Sequence, residues 1–100
     1  MRKLLIALAL VVATPARADY ADELCTVMAG IAEAAARMHQ AGVPLSTLLK
    51  AGPAIKKYRP LIVEIYASPR YVTEEAQVRS IAEWRDQTHV KCLRRETQPH

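Results

Sequence analysis

The sequence predicts an all-α fold, a compact bundle of about four helices closed by one disulfide. Three observations predict it. Apolar residues recur at helical spacing from Asp22 to Ala41, and a second such stripe runs from Val78 to Cys92. The two cysteines, Cys25 and Cys92, lie near the outer ends of those two stretches.

The chain opens MRKLLIALALVVATPARA. Arg2 and Lys3 form a basic start, and Leu4 to Ala13 is an apolar run of ten. Thr14-Pro15 breaks that run before Ala16-Arg17-Ala18, which supplies small residues where a signal peptidase reads. A run of ten is too short to span a bilayer, and Arg17 and Asp19 sit badly in one. Residues 1–18 therefore read as a secretory signal peptide cut after Ala18, with a helical domain over 19–100 and a frayed tail from about Glu96. Taking 18 from 100 residues leaves 82. Removing Arg2, Lys3 and Arg17 from fourteen basic residues leaves eleven against ten acidic ones, a net charge of +1. The basicity of the full chain is thus largely a targeting feature and argues for neither nucleic acid nor anionic lipid. No later apolar run is long enough to cross a membrane, so the expected place is the periplasm, in soluble form.

A domain this small buries only about 60% of the surface its unfolded chain exposes, so a covalent staple matters. Cys25 follows Asp22-Glu23-Leu24 and lies seven residues beyond the expected cut, which excludes lipid attachment. No Cys-X-X-Cys occurs, which excludes thioredoxin-like and haem-attachment motifs, and two distant cysteines with scattered histidines do not make a zinc site. An even pair in an exported domain predicts a Cys25–Cys92 disulfide. It closes a loop of 67 positions.

In chain order, the first helix places Leu24, Met28, Ile31, Ala35 and Met38 on one stripe, with Glu33 and Arg37 spaced for an i,i+4 pair. Gly42 and Pro44 stop it, and Val43 is placed to touch Met38 as a Schellman cap requires. PLSTLLKAGP reads as a short second helix, with Pro44 in its first turn or Ser46 as its cap. Leu61 to Tyr66 is rich in β-branched residues and suits a buried strand. No second strand is available to pair with it, and Ile55, Tyr58, Ile62 and Ile65 fall at helical spacing. The reading is a helix with Pro60 in or near its first turns, ending before Pro69. Thr73 then caps a last helix with Glu74 and Glu75 in its first turn and Lys91, Arg94 and Arg95 toward its end, as the helix dipole favours. Val78, Ile81, Trp84, Thr88 and Cys92 form its stripe, and antiparallel packing of the long helices brings the cysteines together.

Catalytic patterns are absent from the sequence. His39, His89 and His100 include no i,i+4 pair, and His39 reads as a helix-end cap. Ser46, Ser68 and Ser80 lie outside any Gly-X-Ser-X-Gly elbow, and Gly30, Gly42 and Gly52 make no phosphate-cradling loop. The expectation is a non-enzymatic protein with no cofactor and no metal. Arg70 and Tyr71, on a turn between helices, are residue types that anchor protein interfaces and are the candidate partner contact. Tyr58, Tyr66 and Trp84 are better used in a core that has no Phe. Lys50, Lys56, Lys57 and Arg59 form the densest basic run, either a membrane-surface or acidic-partner contact or a solvated face around a helix start.

The order Cys25, an Ala-rich helix, Arg37 to Pro44, Ile65 to Pro69 and a last helix closed by Cys92 resembles short exported helical proteins of Gram-negative bacteria and their prophages. That resemblance implies compartment and fold, and no functional residue. A distant analogy is the acid-activated periplasmic chaperone, also small, helical and single-disulfide. The function expected is binding of another envelope component, with such a chaperone or a membrane-surface accessory protein as alternatives.

Overall fold

The structure, a computed structural model, describes residues 16–97. The apolar run of the expected leader, Leu4 to Ala13, and His100 lie outside the described residues. Within them the fold is all-α, with five helices and no strand: α1 Ala16–Gln40, α2 Leu45–Leu49, α3 Pro53–Lys57, α4 Arg59–Tyr66 and α5 Glu74–Thr97. Helix α1 is continuous across Ala18, and α5 runs one residue past Glu96.

The fifth helix arises because the segment expected as one helix is divided at Tyr58. Pro60 has no N–H, and within a continuous helix its ring would meet the carbonyl of Lys56. Tyr58 takes a non-helical conformation (φ −103°, ψ 21°), and α4 restarts with Pro60 in its first turn. Residues 61–66 are helical, and Ile62 and Ile65 are fully buried.

Helix α1 packs chiefly on α5 and secondarily on α4, with the two long helices antiparallel. Cys25 and Cys92 are joined across the pair, 5.4 Å between Cα atoms, with both residues buried. The packed face of α1 is not the bulky stripe the spacing suggests. Cys25, Ala29, Ala32, Ala36 and His39 are buried along it, beside Ala35, whereas Leu24, Met28 and Ile31 flank it half-buried and Met38 is 39% exposed. On α5 the buried residues are Ser80, Thr88 and Cys92, and Val78 is 59% exposed. Small side chains on both helices let the backbones approach. The larger apolar groups fill the space toward α2 and α4, where Leu48, Ile62 and Ile65 complete the core with Ala32, Ala35 and Ala36.

The end of α1 accounts for each of its last four carbonyls, which no later helical N–H can reach. Ala41 donates its N–H to Arg37 O at 3.0 Å, Gly42 to His39 O at 3.1 Å and Val43 to Met38 O at 3.0 Å; the last two are the Schellman pair. Arg70 donates from Nη2 to Gln40 O at 3.4 Å. Gly42 holds φ +84°, and a Cβ there would stand 3.0 Å from Arg70 Nη2. Gly42→Ala is therefore expected to cost about 1–2 kcal/mol, from the left-handed backbone alone. Displacement of the guanidinium adds to this, and urea denaturation checks it.

At the start of α5, Thr73 Oγ1 accepts from Ala76 N at 3.2 Å, the cap expected of it. Ion pairs such as Glu33–Arg37 at 2.9 Å are exposed and contribute little.

Candidate functional site

Two places on the surface bring chemistry together. The first is the turn between α4 and α5. Gln40, buried at the end of α1, donates from Nε2 to Pro69 O at 3.0 Å and accepts Tyr71 N–H on Oε1 at 2.8 Å. His39 sits beside it, with Nε2 2.7 Å from Ser68 O; a carbonyl only accepts, so this nitrogen carries the proton. The His39 and Tyr66 rings are 4.6 Å apart, and Tyr66 donates its hydroxyl to Val43 O at 2.9 Å. Burial raises the Tyr66 pKa. From the other side, Gln77 Nε2 donates to Tyr71 O at 2.7 Å. His39 is thus a cross-link to the α4–α5 turn rather than a cap on its own helix. Arg70 is the cation that closes α1, placed where the negative end of the dipole favours it. With the backbone so held, the Tyr71 ring remains 42% exposed and Val72 97% exposed.

The second place is a cleft of about 550 Å³. Helix α1 lines it with Tyr20, Leu24 and Met28, four residues apart and so on one face. Helix α5 contributes Trp84, Thr88 and Cys92, with Lys91 and Arg95 beside them. The third wall is Leu61 and Glu64 of α4 with Lys57 and Tyr58 of the helix break. Tyr58, at the break before Pro60, is part of this wall, and the Cys25–Cys92 bridge joins the helices that carry the other two. Lys57 Nζ lies 5.7 Å from the Tyr58 ring centre. Lys57, Lys91 and Arg95 face Glu64 and Glu96 in the lining, yet among the described residues none of the five is in an ion pair within 4.0 Å. Trp84 also borders a smaller hollow of about 130 Å³ that contains Tyr71 and the buried Ser80, so one indole separates the two places.

Of the basic run, Lys50 ends α2, Lys56 and Lys57 occupy the last turn of α3, and Arg59 opens α4; all four are exposed, and Lys57 alone of them lines the cleft. Tyr58 and Trp84, read from sequence as core, do pack against the core while presenting their remaining surface to the cleft. The sequence reading missed the cleft. Its only local signal was Lys91 and Arg95 at i,i+4, which the helix dipole explained equally well.

Arg85 and Asp86 form a local pair on α5: the hydrogen bond to Asp86 raises the Arg85 pKa and lowers that of Asp86. Among the described residues no three His, Cys, Asp or Glu side chains are grouped to hold a metal ion, and no helix is long and apolar enough to cross a membrane. The arrangement of both places suits recognition of a ligand or partner. No family model, curated protein or solved structure matches the chain.

Proposed function

We propose that this chain is a non-enzymatic protein of the periplasm that binds another protein of the cell envelope, using the α4–α5 turn as its anchor. One observation carries the reading. The turn is tied to α1 by Gln40 and Arg70 and to α5 by Gln77, while the Tyr71 ring and the Val72 side chain face outward. An aromatic anchor whose backbone is already ordered loses little conformational freedom on binding, which is how a small surface reaches useful affinity. The buried disulfide fits an oxidising compartment, and export is the setting in which such a bridge persists.

Site-specific photocrosslinking from Val72 in the periplasm tests this. A discrete crosslinked partner is expected, with its yield reduced about tenfold or more by Tyr71→Ala, as loss of an interface anchor costs about 2 kcal/mol. Tyr71→Phe keeps the ring and is expected to retain most of the yield. Absence of any discrete product, or a yield unchanged by Tyr71→Ala, contradicts the reading.

A further inference from the structure

The cleft is distinct from the Tyr71 anchor and asks for a different kind of ligand. Its volume, about 550 Å³, lies within the roughly 300–1,000 Å³ typical of small-molecule sites. Its apolar groups are Leu24 and Met28 of α1 on one side and Leu61 of α4 on the other. Along α5 the lining extends from Trp84 to Arg95, about 16 Å at the helical rise. A lining of that length accommodates an extended chain.

The charges select the other end of the ligand. Lys91 and Arg95 stand one turn apart on the same wall, both exposed, and neither has a carboxylate within 4.0 Å among the described residues. Two like charges at i,i+4 repel, and an anion placed between them removes that repulsion. Glu64 and Glu96 also line the cleft, but they come from different helices, and with Lys57 included the lining keeps one surplus positive charge. Tyr20, five residues before Cys25, lies toward the same end of the cleft as Arg95, three residues after Cys92, and stays 67% exposed.

We infer that this cleft binds an anionic single-chain amphiphile, a long-chain carboxylate, with its chain between Leu24, Met28 and Leu61 and its carboxylate at Lys91 and Arg95. The inference does not depend on the partner contact at Tyr71.

Trp84 is the only tryptophan of the chain and borders the cleft, so its fluorescence reports occupancy directly. Titration of the oxidised protein with sodium dodecanoate, below its micellar range, is expected to give a saturable one-site blue shift. Decanoate should bind about tenfold more weakly than dodecanoate, since each buried methylene contributes roughly three- to fourfold in affinity. The double variant Lys91→Met, Arg95→Met, both at exposed positions, is expected to weaken dodecanoate about tenfold at low salt and to leave dodecanol unchanged. Circular dichroism confirms that helix content is retained in the variant and in the bound protein. Three outcomes overturn the inference: no saturable Trp84 response, dodecanol or dodecyltrimethylammonium binding as tightly as dodecanoate, or a response that accompanies loss of helix. Crosslinking from Val72 in the same double variant separates the two claims. In that variant a retained protein partner with weakened dodecanoate binding is expected. In the unsubstituted chain, a protein partner captured without any dodecanoate binding removes this inference alone, and capture of an acidic protein segment in the cleft removes it as well.

Discussion

Replacing Cys25 and Cys92 together by alanine is expected to lower stability by about 4 kcal/mol and the melting temperature by roughly 20 °C. The bridge spans 67 positions of sequence, so in the unfolded chain it forbids most of the conformations otherwise available. Natural domains are stable by about 5–15 kcal/mol, and one this short sits toward the lower end, so the loss approaches half of the total or more. The bridge also aligns the walls of the cleft, because Cys92 is itself part of the lining. Dodecanoate affinity should therefore fall in the double variant even at temperatures where it remains folded. Urea denaturation of the oxidised and double-alanine proteins gives the energy. A difference below about 1 kcal/mol would mean that α1 and α5 hold together without the crosslink.

Ile62→Ala is expected to cost about 2–5 kcal/mol, whereas Met38→Ala should cost less than about 1 kcal/mol. Ile62 is fully buried among the alanines of α1 and Leu48, and removing its branch leaves a void that small neighbours cannot fill. Met38 is substantially exposed at the end of α1, and its deletion returns little surface to water. The comparison is a direct check on which face of α1 is packed. On the bulky stripe suggested by spacing, Met38 is a core residue and the two costs are similar. Chemical denaturation of both variants, in the oxidised state, decides between them.

Much of the architecture was legible because it rests on local rules. Gly42 before Val43-Pro44 marks a helix end wherever it occurs, and the structure supplies both hydrogen bonds of that motif. Thr73 ahead of two glutamates marks a helix start for the same reason. The pairing of Cys25 with Cys92 followed from count and compartment, and antiparallel long helices followed from the pairing.

Apolar spacing was taken as a guide to burial, yet close packing of α1 on α5 favours Ala29, Ala32, Ala36 and Ser80 over Met38 and Val78. Period alone does not say which of two adjacent stripes faces inward when both are apolar. His39 and Gln40 were unreadable for a different reason. Their partners, Ser68, Pro69 and Tyr71, lie about thirty residues away, and no local pattern announces such a contact. The cleft combines residues from three separated stretches of chain, so only their assembly reveals that Lys91, Arg95 and Leu61 share a wall-lined space.

Compartment, fold and cleft all rest on an exported protein whose long helices are covalently joined. Intact mass measured on protein taken from its native cells, with free thiols trapped by an alkylating agent before any reductant is added, tests this in one step. The expected result is a chain beginning at Asp19 with no alkyl group attached, and with two attached only after reduction. A chain that keeps residues 1–18, or one that carries two alkyl groups without reduction, contradicts it.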